Sequence, residues 1–181
     1  RPQYLVVGEV RGQEAFILFQ AMATGHTTYS TMHADSVRSI VHRLENPPIN
    51  LPRVLLSALN MVILQSQVML GDRMVRKINK IVEILGVDPD TNDLITNTVY
   101  EWEPAGDNFK FLGHSVLFEK IMDRKNMSTD ELKEEFKRRT EIVQWMVKKN
   151  VRHYKDVASI IAAYHKDPEG MIKKVRGELY A

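Results

Sequence analysis

Between Tyr4 and Leu44 the chain alternates strand-like and helix-like segments, and that order restricts the fold more than any other feature. Tyr4 to Val7 is a short apolar run ended by Gly8. Such a run reads as a buried strand of the kind found inside parallel sheets. Glu14 to Thr24 reads as a helix, with Ala15, Leu18, Phe19 and Met22 at spacings of three and four. Gly25 stands where a helix stop is expected. Thr27 to Met32 is rich in β-branched and aromatic residues and reads as a second strand. Ser36 is placed to cap a further helix carrying Val37, Ile40, Val41 and Leu44. Strand, helix, strand, helix predicts an α/β parallel sheet.

Asn46-Pro47-Pro48-Ile49-Asn50 then breaks the helical pattern, and Pro52 can open a short helix to about Asn60. The character changes after this point. Val62–Val68, Met74–Leu85, Leu94–Trp102 and Phe109–Leu112 read as strands, separated by turn signals at Gly71-Asp72, Asp88-Pro89-Asp90 and Ala105-Gly106-Asp107. Strict alternation in the second puts Ile78, Val82 and Ile84 on one face and Lys77, Asn79 and Glu83 on the other. An antiparallel meander attached to the parallel sheet is expected. Beyond Gly113 the pattern is helical. Ser128 and Glu131 form a capping-box pair. Leu132, Phe136, Val143 and Val147 predict one apolar stripe, and Val157, Ile160, Ile161 and Tyr164 the next. Asp167-Pro168-Glu169 opens a last helix.

Composition bounds the function classes. A formal charge of +2 gives no electrostatic argument for a nucleic-acid partner. The absence of cysteine excludes disulfides and cysteine-based zinc sites. No apolar run approaches the roughly 18 residues that span a bilayer, and nothing resembles a signal peptide. The opening Arg1-Pro2-Gln3, without an initiator Met and leading straight into an apolar strand, is what a piece of a longer protein is expected to show.

Two clusters carry chemistry. Leu5-Val6-Val7-Gly8-Glu9-Val10-Arg11 is an apolar strand that delivers a carboxylate at its C-terminal end, the Walker B pattern. That edge of an open α/β sheet is where ligands bind. A carboxylate there can act on the attacking water or on the magnesium shell of a nucleotide. The pattern alone is common. The second cluster, Thr24-Gly25-His26 through Ser30-Thr31-Met32-His33, sets two histidines at the two ends of one strand.

Together, Gly-Glu-x-Arg, a helix, Thr-Gly-His and Ser-Thr-x-His resemble the Walker B and histidine boxes of the type II and type IV secretion ATPases. Their relatives include pilus and archaellum motors. The resemblance is strong from Arg1 to Glu45, and the stretch that follows is most similar to the archaeal branch. It implies the C-terminal half of a RecA-like P-loop NTPase core over residues 1–114, a parallel sheet with an antiparallel extension. A small helical domain over residues 115–181 follows. It further implies that Glu9 and His33 are catalytic, with Glu9 reaching Mg2+ through water and His33 sensing the γ-phosphate. Arg11 and His26 become nucleotide-binding or intersubunit residues. ATP and Mg2+ are the implied substrate and cofactor. A homo-oligomeric, hexameric ring beside a membrane platform protein, cytoplasmic and peripheral to the membrane's inner face, is the implied setting. No Gly-x-x-x-x-Gly-Lys-Ser/Thr occurs, and the family's upstream acidic box is also missing, so the sequence by itself is expected to be inactive.

Plainer readings stand beside these. His26 is also a helix-exit residue, and Arg11 can serve only to pair a neighbouring carboxylate. Asp35 suits a helix N-terminus better than a metal. His42, His114, His153 and His165 share no spacing, read as surface residues and have no accompanying ligand cluster. A RecA-like nucleic-acid motor of helicase type is the second reading, although no basic stretch with interleaved aromatics supports it. A non-catalytic interaction module is the third.

Overall fold

The computed structural model describes residues 2–179. The fold is α/β, with a small parallel sheet and an antiparallel sheet followed by helices. It divides into two compact units, Arg1–Leu117 and Phe118–Ala181.

In the first unit, strand β1 (Tyr4–Val7) pairs in parallel with β2 (Thr27–Ser30), Tyr4 opposite Thr27 and Val7 opposite Ser30. Helix α1 (Glu14–Ala23) makes the crossover. Its start is held by its own Glu14 carboxylate, which accepts the Arg11 and Gly12 backbone N–H groups at 2.5 and 2.8 Å. Its end is a Schellman turn: His26 N donates to Ala21 O and Gly25 N to Met22 O, both at 3.0 Å. Gly25 takes φ +87° there, a conformation that costs glycine little. Helix α2 (Val37–Glu45) is capped by Ser36, whose hydroxyl accepts the Ser39 N–H at 3.1 Å. It ends at Asn46, whose side chain donates to His42 O at 2.7 Å, before the two prolines. Only one turn, α3 (Arg53–Leu56), follows Pro52, shorter than the helix to Asn60 expected from the sequence.

Ala15, Leu18 and Phe19 of α1, Leu44 of α2, Leu56 of α3, Val10 and Leu51 make the core of this unit. Each large member contributes roughly 1.5–3 kcal/mol of transfer free energy. Leu5 and Val7 pack against it, whereas Tyr4, Val6 and Tyr29 are exposed on the other face. The expectation of a fully buried strand is corrected: α1 covers β1 from one side only, so its side chains alternate between cover and solvent.

Strands β3 (Met61–Leu70), β4 (Arg73–Val87), β5 (Leu94–Glu103) and β6 (Asn108–Phe111) form the antiparallel sheet in sequence order. Leu94 ties this sheet to the first core. The register shifts three times. Asn79 is extra on β4 against β3, Leu85 is extra on β4 against β5, and Val99 is extra on β5. These bulges break the strict alternation read from the sequence. Val82, Glu83 and Ile84 are consecutive and all buried.

Helix α4 (Val116–Lys125) leads into the second unit, built from α5 (Thr129–Lys148), α6 (Tyr154–Lys166) and α7 (Pro168–Leu179). The Ser128–Glu131 capping box is formed in both directions. The core takes Ile142, Trp145 and Met146 from α5, Tyr164 from α6, and Ile172 and Val175 from α7. This corrects the expected α5 stripe, since Phe136, Val143 and Val147 are exposed. The helix offers two apolar stripes at helical spacing, and the one carrying Trp145 is buried. Beside it, Glu141 accepts from Arg176 at 2.8 Å and Glu135 accepts the Tyr164 hydroxyl at 2.6 Å. Among the described residues no helix is long and apolar enough to cross a membrane.

Candidate active site at the exits of the parallel strands

The chain leaves β1 through Gly8 and β2 through Thr31, and two hydrogen bonds stitch these exits together. Thr31 Oγ1 donates to Gly8 O at 2.5 Å, and Val10 N donates to Thr31 O at 2.8 Å. The parallel register continues past the last ladder pair, so the side chains that follow meet. His33 Nδ1 lies 2.9 Å from Glu9 Oε1. The Arg11 guanidinium donates to Glu9 Oε2 at 2.6 Å. The Glu9 side chain is 26% exposed and its partners 76% and 80%, so a sheltered carboxylate stands behind two open nitrogen groups.

This setting fixes the charge of Glu9. The hydrogen bond from Arg11 holds its pKa below the usual carboxylate range, partial burial opposes that, and the charges of Arg11 and His33 add to the lowering. Arg11 is pushed up in return. Glu9 is therefore ionised at neutral pH and is purely an acceptor.

The structure thus brings Glu9, Arg11 and His33 together and leaves His26 apart. His26 lies at the opposite end of β2, its Nδ1 3.2 Å from Thr24 Oγ1, within the turn that ends α1.

An open cleft of about 690 Å³ lies over the Glu9 group. Its other lining comes from Val10 and Met32, from His42 and Arg43 of α2 and from the Asn46–Ile49 stretch. From the sequence alone His42 reads as a surface residue and Arg43 carries no motif. The available signal was positional: both lie on the helix that follows the second histidine box, in its last turn. Among the described residues no group of three or more acidic, histidine or cysteine side chains could cage a metal. Glu9, a single carboxylate, fits a Mg2+ that keeps its own waters and phosphate ligands.

Comparison with known proteins places nearly the whole chain in a family. The family described as Type II/IV secretion system protein matches residues 1–177. Three relatives come from Methanocaldococcus jannaschii. Uncharacterized protein MJ1287 is 40% identical over 82% of this chain and 55% of its own length. Uncharacterized protein MJ0900 is 36% identical over 94% of the chain and 32% of its own length. Uncharacterized protein MJ0781 is 28% identical over 81% and 20%. The chain therefore spans about half the length of the first of these relatives, and less of the other two. With a match that runs from the strand before Glu9 to the last helix, the chain belongs to the type II/IV secretion system protein family.

Proposed function

We propose that the protein is an ATPase motor subunit that couples ATP hydrolysis to filament assembly or protein secretion, with ATP held at the Glu9 cleft. The observation that supports this most directly is the meeting of Glu9 with Arg11 and His33 at the C-terminal edge of a parallel strand pair. An ionised Glu9 can accept a proton from an attacking water or bind the water shell of Mg2+. Both of its oxygens are engaged by nitrogen donors, and both donors also suit phosphate oxygens. Phosphate that draws either donor away leaves a carboxylate oxygen free for water, which links nucleotide arrival to activation of the base. His33, on the exit of the second strand, is the donor that responds to a γ-phosphate and loses its partner after hydrolysis. Bound Mg2+ would supply charge neutralisation on the phosphates.

In this reading a phosphate-binding loop comes from outside the present sequence, and the 181 residues alone hold ATP weakly. The working assembly is a hexameric ring against a membrane platform protein on the cytoplasmic side. Residues 1–114 supply the nucleotide half and residues 115–181 a partner-contacting helical domain. His26, at the far strand end, serves an intersubunit contact.

The test is Glu9→Gln in the full-length protein. Ring assembly and ATP binding should persist, and turnover should fall by about 10²–10⁴-fold. Turnover at the unaltered rate would end this assignment of Glu9.

A further inference from the structure

The cleft has a wall that the three residues at the strand exits do not explain. Helix α2 presents His42 and Arg43 to it, and a shallower depression over Arg38 and Ser39 opens onto the same two residues. Arg43 is exposed and takes no hydrogen bond or ion pair among the described residues. The carboxylates nearest α2 are engaged elsewhere. Asp35 accepts from the hydroxyls of Ser36 and Ser39 and feels Arg43 through its charge, without an ion pair between them. Glu45 is bound by the Arg53 guanidinium through both oxygens.

The lining of the cleft is consequently unbalanced. The guanidiniums of Arg11 and Arg43, with the imidazole donors of His33 and His42 beside them, face one carboxylate, Glu9. Cationic groups collected in one concavity raise the local concentration of anions. A guanidinium with its planar fork uncommitted can bind a phosphate through two parallel hydrogen bonds. Arg43 meets this description better than Arg38, because it lines both depressions and Arg38 only the shallower one.

We infer that Arg43, assisted by His42, is a phosphate-binding residue of the cleft, and that its ligand is the polyphosphate chain of a nucleoside triphosphate. The inference rests on the ATPase reading above and adds to it a binding group on α2. The competing role is purely local. A cation in the last turn of a helix complements the helix dipole, and any cation serves.

The two roles separate in the full-length protein. Calorimetry with ATP, with inorganic tripolyphosphate and with adenosine would be run on the unaltered protein, Arg43→Gln and Arg43→Lys, with thermal melting alongside. Arg43→Gln is expected to weaken ATP and tripolyphosphate about ten- to a hundredfold, as loss of a charged hydrogen-bonding group does. Adenosine binding should not change, KM for ATP should rise more than kcat falls, and Arg43→Lys should recover part of the loss. ATP and tripolyphosphate affinities within twofold of the unaltered protein, with a lower melting temperature, would overturn the inference in favour of the helix-end role. If the unaltered protein neither bound nor hydrolysed ATP, the ATPase reading would fail and this inference with it. If it did both and Arg43→Gln matched it, this inference alone would fail.

Discussion

The hydroxyl of Ser115 donates to Glu83 Oε1 at 2.5 Å across 32 positions of sequence. Glu83 lies on β4, one of the two inner strands of its sheet, and is 2% exposed. Its carboxylate also accepts Val116 N at 2.9 Å, Leu117 N at 3.0 Å and the Asn97 amide at 3.0 Å. The two backbone donors are free N–H groups of the first turn of α4, so a buried anion from the sheet terminates that helix from outside its own segment.

Burial pushes the Glu83 pKa up, but the four donors outweigh it, and the folded value lies below the ordinary 4.5. A carboxylate depressed on folding contributes stability above its unfolded pKa and loses it as pH falls through the folded value. Urea melts should therefore show stability declining below about pH 4.5, and Glu83→Gln should remove that part of the decline. At neutral pH Glu83→Ala should cost about 3 kcal/mol, since it strands one buried and three part-buried donors. A cost under about 0.5 kcal/mol, the range of an ordinary surface change, would show that the carboxylate does not hold α4.

Arg11 sets the acid limit of the proposed ATPase. Its hydrogen bond is the largest influence lowering the Glu9 pKa. Arg11→Gln should let that pKa rise toward the ordinary range. An activity that requires ionised Glu9 would then fail at a higher pH as the solution is acidified. The acid limb of kcat/KM against pH should move upward in the variant, whereas an unmoved limb would mean that Glu9 is not the group being titrated.

Tyr164 titrates in the opposite sense. Burial and the Glu135 carboxylate it donates to push its phenol up to about 12. A raised folded pKa gives stability that is complete below the unfolded value near 10 and lost as pH rises through the folded one. Tyr164→Phe should cost about 1–2 kcal/mol at neutral pH. Its chemical-denaturation stability should also lose the fall that the unaltered protein shows between about pH 10 and 12.

The two stripes of α5 make unequal demands. Trp145→Ala should destabilise by about 3–5 kcal/mol, because it empties the core shared with Tyr164 and Val175. Val143→Gln, on the exposed stripe, should stay within about 0.5 kcal/mol. Equal losses in urea melts would place both stripes in packed surroundings.

What the sequence made legible was local in origin. The crossover from β1 to β2 needs only a helical period between two strand-like runs, and Glu9 and His33 each lie just past a strand end. A parallel register then brings them together almost without choice. Glu83 was hidden for the opposite reason. Alternation assigned it to the face of Lys77 and Asn79, opposite Val82 and Ile84, and neither the bulges at Val99 and Leu85 nor the cover from Ser115–Leu117 is written in its neighbours. The α5 stripe was misread because Val143 and Trp145 both satisfy helical spacing, and only partners on α6 and α7 decide between them. Arg43 was missed since an unpaired arginine on a helix is ordinary until a cleft is found beside it.

The half-covered parallel ladder has a colloidal consequence. Tyr4, Val6 and Tyr29 form an apolar plate, and each of the two strands keeps one unpaired edge among the described residues. Plate and edge together invite strand addition and stacking. In concentrated preparations of this chain alone, native molecules are therefore expected to adhere to one another, which light scattering at temperatures well below the melting point would register. A charged side chain at the exposed Val6 position should reduce that adhesion while leaving the β1–β2 ladder in place.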